Sequence, residues 1–251
     1  MVKVAGAVAL GALTAFAAFG PALADTYTIN SYSVPNSVNV TIYDSILSGG
    51  SESAGAGAIS ISVTDNTTST TSQMTVWCDD IANFLTTPGS YTLNTLSNQI
   101  GQANYSYLDA TKVNQVNALL NAITTGQVNQ NNATTSAALQ VAIWEVINQS
   151  GDSGYNVTSG NFYVGSYSGD NVATVEADAN QYLTYVTNGT WLANANDSVE
   201  QFASTSNNQN LIYLGVTTTG KASVPEPGSL ALLGTGLAGF AAARRRRRRR
   251  D

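Results

Sequence analysis

The segment from Thr135 to Asn148 most limits how this chain can fold. Leu139, Val141, Ile143, Trp144, Val146 and Ile147 fall on every side of a helical wheel instead of along one stripe. A helix that is apolar nearly all round has no face to give to water, so it must be central and buried. Two polar residues interrupt it. Gln140 has to hydrogen-bond its carboxamide or bear a desolvation cost of roughly 1–3 kcal/mol. Glu145 sits where ionisation is costly.

Two other segments have helical spacing. Thr111 to Ile123 places Val113, Val116, Leu120 and Ile123 on one stripe and stops at Gly126. Asn171 to Val186 carries Val172, Val175, Ala179, Tyr182, Leu183 and Val186 and stops at Asn188-Gly189. Strand-like alternation marks Tyr27 to Val34, Val38 to Ile46, Ile59 to Val63, Met74 to Cys78 and Leu211 to Thr217. Ser48 to Gly57 and Asn66 to Ser72 read as connections. The pattern predicts an α+β fold, a mainly antiparallel sheet or barrel with about three inserted helices.

Charge and composition exclude several chemistries. The chain has no histidine, which removes Ser-His-Asp and Cys-His catalysis and the commonest zinc ligand. Asp25 to Glu226 holds fifteen acids against two lysines, Lys112 and Lys221, a formal charge of −13. So acidic a surface argues against nucleic acid and anionic lipid as partners. No pair of carboxylates stands out as a glycosidase couple. Asp65-Asn66 and Asp152-Ser153-Gly154 lack calcium-loop spacing and read as turns. No cofactor and no metal site are expected.

The two ends of the chain are addresses. Met1 to Ala24 has one cation, Lys3, an apolar run through Val8, Leu10, Leu13, Phe16 and Phe19, and a small-x-small close, Ala22-Leu23-Ala24. That is the layout of a secretory signal peptide cleaved after Ala24. At the other end, Val224-Pro225-Glu226-Pro227-Gly228-Ser229 precedes an apolar run from Leu230 to Ala243 and seven arginines, Arg244 to Arg250. The prolines hold the first part extended, the run can enter a bilayer as an anchor helix, and the arginines stay on the cytoplasmic side. The order and the Pro-Glu-Pro residues resemble the PEP-CTERM sorting signal. That resemblance implies an exosortase-type membrane protease as partner, with Pro225, Glu226 and Pro227 as the processing motif. It also implies transient inner-membrane anchoring before delivery to the cell surface, outer membrane or extracellular matrix. The expected division is 1–24 signal peptide, 25–217 exported domain, 218–223 linker and 224–251 sorting signal.

Chemistry within the exported part narrows to its only cysteine, Cys78. An unpaired cysteine in an exported chain is uncommon, and no disulfide within the chain is available to it. It is open to four readings: an inert buried thiol, a bond to another chain, a lipid or metal site, or a bond to something other than sulfur. Val76-Trp77-Cys78-Asp79-Asp80 is followed about 60 residues later by Gln140-Val141-Ala142-Ile143-Trp144. An aromatic-Cys dipeptide followed by Gln-x-Ala-Ile-Trp resembles the thioester domains of bacterial surface adhesins, where Leu139 is often threonine. The resemblance implies that the Cys78 sulfur attacks the Gln140 carboxamide, expels ammonia and leaves an internal thioester. A lysine amine or a polysaccharide hydroxyl on a partner would then displace Cys78. Trp77 and Trp144 would exclude water, and Asp79, Asp80 and Glu145 are the only nearby carboxylates, each expected to be a solvated or hydrogen-bonded strand or helix end.

Two functions follow from these readings. One is a covalent surface adhesin working once through Cys78 and Gln140, and so not an enzyme. The other is a passive structural or biofilm-associated protein delivered by the same route.

Overall fold

Strand β1, Thr26–Asp44, runs for 19 residues and organises the sheet of the computed structural model, which describes residues 25–151, 154–167 and 172–216. The sequence breaks this strand at Pro35, but the structure carries it through. A register shift between Ser33 and Asn36 absorbs Pro35, which cannot donate to the ladder, and a second falls between Ile29 and Ser31. One edge of β1 pairs with β2, Ser51–Asp65, along almost its whole length. The other edge is shared. Its first four residues pair with β4, Gly89–Thr95, and Val40–Asp44 pair with β5, Phe162–Ser166.

The remaining strands are β3, Thr70–Cys78, β6, Asp197–Ser204, and β7, Leu211–Val216. The order β2-β3-β7-β6-β4-β1-β5, with β1 also bonded to β2, closes six strands into an antiparallel ring with β5 appended. Closure is thin at one place. β3 and β7 share only the pairs Trp77–Ile212 and Cys78–Leu211.

Among the described residues three α-helices complete the α+β architecture: α1, Ala110–Thr124, α2, Ala133–Asn148, and α3, Val172–Thr187. The Asp109 carboxylate caps α1 by accepting from the Lys112 amide. The Asn132 side chain caps α2 by accepting from Thr134 and Thr135. Every residue of α2 from Ser136 to Asn148 is buried, as its all-round apolar pattern requires. It lies against β1 and β2 on one side and against α1 and α3 on the other.

Ser48 to Gly57, read from its small residues as a flexible connection, is strand from Ser51 onward. The small residues have a different use there. Ala58 lies where α2 comes close, and its amide donates to the Ser136 hydroxyl at 2.8 Å across the sheet–helix layer, while Gly57 lies against the Asn36 backbone of β1. Strands β4, β5 and β6 had no counterpart in the sequence reading. Among the described residues no helix is long and apolar enough to cross a membrane. The signal-peptide and anchor segments, with Pro225, Glu226 and Pro227, lie outside the described residues.

Candidate functional site

The pairing of β2 with β3 stops at Ile59–Val76. Two residues further on, Cys78 keeps its partner Leu211 on β7 but has no strand on its other edge. An unpaired amide and carbonyl there would each cost free energy in a buried place. Gln140 supplies the missing partner from α2. The Cys78 amide donates to Gln140 Oε1 at 2.9 Å, and Gln140 Nε2 donates to the Cys78 carbonyl at 2.7 Å. The carboxamide thus acts as one rung of a ladder, and its polar atoms are satisfied inside the core as the sequence required. Both residues are almost completely buried, Cys78 at 2% exposure and Gln140 at 1%.

The Cys78 Sγ donates to the Asp80 carbonyl at 3.1 Å. Burial pushes the thiol well above its ordinary pKa. The Trp144 indole opposes that shift, while the Asp79 and Asp80 carboxylates add to it. Trp144 Nε1 otherwise has no acceptor, so the polar edge of the indole is left for the sulfur. Burial therefore favours the thiol of a free Cys78 over its thiolate.

Cys78, Gln140 and Trp144 line one cavity of about 320 Å³. Tyr32 and Phe84, 45% and 62% exposed, also line it, and no charged side chain does. Trp77, expected to help exclude water, is buried at the β3–β7 seam and is not part of the cavity wall.

None of the three nearby carboxylates is solvated, which corrects one half of the expectation. Asp80 is buried in a turn, its two oxygens accepting from the Ala82 amide at 2.9 Å and Asn83 Nδ2 at 2.7 Å. Its pKa is raised by burial against those hydrogen bonds. Asp79, 1% exposed, is pushed up to about 7 by burial, with the Asp80 charge adding to the shift and hydrogen bonds from Gln201 and Tyr105 opposing it. Glu145 is wholly buried on α2, about one and a half turns beyond Gln140. Its Oε1 accepts from the Asn156 amide at 2.9 Å, its Oε2 accepts from nothing, and burial raises its pKa to about 7.

The residues around Asp79 were not found from the sequence. Tyr105, Gln201 and Asn210 come from a 3₁₀ turn, Ala103–Tyr105, from β6 and from the residue before β7. Nothing in their local sequence signals a site. Asp65 closes an ordinary turn, its oxygens accepting from the Thr67 and Thr68 amides and the Thr68 hydroxyl. Asp152 and Ser153 lie outside the described residues. Among the described residues no three metal-ligating side chains come together.

Comparison with known proteins bears on the two ends of this description separately. The PEP-CTERM protein-sorting motif matches residues 223–248. The chain therefore carries the sorting signal of exported proteins that an exosortase, a membrane protein, recognises after anchoring through the C-terminus. Two solved structures are similar to the chain, both the N-terminal thioester domain of a surface protein from Clostridium perfringens, one of them a cysteine-to-alanine mutant. The mutant aligns at TM-score 0.41 and 12% identity over 63% of this chain and 88% of that one. The other aligns at TM-score 0.39 and 13% identity over 63% and 87%. No curated protein matches the chain.

Proposed function

We propose that this exosortase-sorted protein is a covalent adhesin of the cell surface or extracellular matrix, with Cys78 and Gln140 as its reactive pair. The observation that carries the reading is the double hydrogen bond between the Gln140 carboxamide and the backbone of Cys78. It holds an acyl group beside the residue that bears the sulfur, with both residues buried. Attack of Sγ on Gln140 Cδ forms the S–C bond, breaks the C–N bond and releases ammonia, which takes up the thiol proton. The product is an acyl electrophile whose leaving group is a thiol, far easier to expel than an amine.

An incoming amine or hydroxyl from a partner then bonds to Gln140 Cδ, breaks the C–S bond and passes its proton to the departing Cys78 sulfur. The bond to the partner is permanent, so each molecule reacts once and is not a turnover catalyst. The cavity bounded by Tyr32 and Phe84 is the route to the carbonyl, and its uncharged lining disfavours ionised groups. The exported domain is taken as residues 25–217, released from the linker 218–223 and the sorting signal 224–251.

A second reading has its own observation. The Gln140 amide is fully satisfied by the Cys78 backbone and Sγ already donates to Asp80, so the pair is stable side by side without a bond. That arrangement suits a passive structural or biofilm-associated protein. The intact mass of the secreted domain decides. A deficit of one ammonia, changed by methylamine and abolished in Cys78→Ala, supports the adhesin. An unshifted mass with a thiol that alkylates under native conditions refutes it in favour of the passive protein.

A further inference from the structure

Asp79 immediately follows the cysteine, and its surroundings contain a mismatch that a single proton resolves. Its Oδ2 accepts from the Tyr105 hydroxyl at 2.9 Å and from Gln201 Nε2. Tyr105 Oη in turn accepts from Gln201 Nε2 and from Asn210 Nδ2, both at 3.0 Å. Two oxygens in this cluster accept from nothing, Asp79 Oδ1 and Gln201 Oε1, and both are buried. A carboxylate beside a carboxamide leaves two such lone-pair groups buried without a donor, which is costly. A carboxylic acid joined to a carboxamide closes a second hydrogen bond, O–H to O=C, and satisfies both.

We propose that the Asp79 carboxyl carries a proton donated from Oδ1 to Gln201 Oε1, and that this proton latches the Cys78 end of β3 to β6. Asp79 is thereby a positioning residue for the Cys78–Gln140 site, a role that rests on the thioester reading for its purpose but not for its existence. The latch joins the end of β3 to β6 directly, and to β7 through Tyr105 and Asn210. It also fixes one wall of the cavity, because Phe84 and Leu85 belong to the loop that Asp79 begins.

The groups acting on Asp79 are few. Gln201 and Tyr105 bond to it. Asp80, on its own segment, is the charged neighbour, and the Cys78 thiol is neutral at rest. Loss of the proton breaks the bond to Gln201 Oε1 and sets two buried negative charges on adjacent residues. Both effects drive the loop toward water and open the wall over Cys78. The direction of the Asp79 shift agrees with a retained proton.

Carbon-13 carboxyl NMR of the secreted domain, with Asp79 assigned through its own bonded backbone resonances, tests the proton directly. Titration of Asp79 around neutrality is expected, and titration in the ordinary carboxylate range overturns the proposal. This readout on the wild-type protein needs neither a thioester nor a folded variant, whereas the mass measurement tests the thioester alone. The latch itself is read from accessibility of the site against pH: thioester hydrolysis where the mass deficit is present, native alkylation of Cys78 where it is not.

The Asp79→Asn carboxamide keeps both bonds to Gln201 at every pH, so the wild-type rate relative to Asp79→Asn should rise about tenfold between pH 6 and 8, following the ionised fraction of a group with a midpoint near 7. Asp80→Asn should keep a rise, moved to lower pH because the Asp80 charge helps hold the proton on Asp79. A ratio that stays flat, or a rise abolished by Asp80→Asn instead, refutes the latch.

Discussion

Glu145 should make this domain more stable in mild acid than at neutral pH. The side chain is wholly buried within α2, with one oxygen bonded to the Asn156 amide and the other unpaired. Its ordinary pKa of 4.5 rises to about 7 in the fold. Below pH 4.5 the folded and unfolded chains both hold the proton and Glu145 costs nothing. Between 4.5 and 7 the unfolded chain gives up its proton while the fold retains it, so stability falls by about 1.4 kcal/mol per pH unit. Above 7 both states are ionised and the loss stays constant, at about 3 kcal/mol. Urea unfolding from pH 4.5 to 8 measures it. Glu145→Gln should be flatter than the wild type by that amount across the window. Asp79 acts in the same direction from a separate cluster, so a residual slope should survive in Glu145→Gln. Stability that rises from pH 5 to 7, or a Glu145→Gln profile parallel to the wild type, would refute the reasoning, because it would mean that the buried carboxyl is already ionised and compensated.

Ser136→Ala should destabilise the domain by about 1–3 kcal/mol in urea unfolding, since it leaves the buried Ala58 amide without an acceptor while removing one atom. Gly57→Ala should cost a similar ~1–3 kcal/mol, because Gly57 has φ +154° and an added Cβ would stand 2.4 Å from the Asn36 carbonyl oxygen. A Gly55→Ala control, where the nearest atom would be 3.7 Å away, should change the midpoint far less.

How much of this was legible depends on whether the deciding interaction is local. The burial of α2 and the inward-facing Gln140 follow from one continuous stretch whose apolar residues leave no polar face, and the structure agrees residue by residue from Ser136 to Asn148. Cys78 and Gln140 are 62 residues apart, and only the resemblance of two short segments joined them in the sequence. The Asp79 cluster had no such guide. Gln201 lies 122 residues away on β6, a strand whose sequence, Asp-Ser-Val-Glu-Gln-Phe-Ala-Ser, alternates too weakly to announce itself. Ser51 to Gly57 misled for a physical reason. Glycine and alanine weaken a strand on its own, and here Gly57 is used because the β1 backbone comes close to it. Pro35 misled in the opposite sense, since a register shift lets one long strand carry a residue that ordinarily ends it.

The short β3–β7 seam has a mechanical consequence. The sorting signal lies beyond β7, so while the protein is tethered through its C-terminus, tension enters at Val216. Pulled along its axis, β7 loads its six register pairs with β6 together, in shear, while the two pairs with β3 at its far end take up only what remains. A partner bonded at Gln140 would hang from the opposite side of that seam. Drag on a captured surface would then be felt first at Cys78, where the barrel is joined by the fewest bonds.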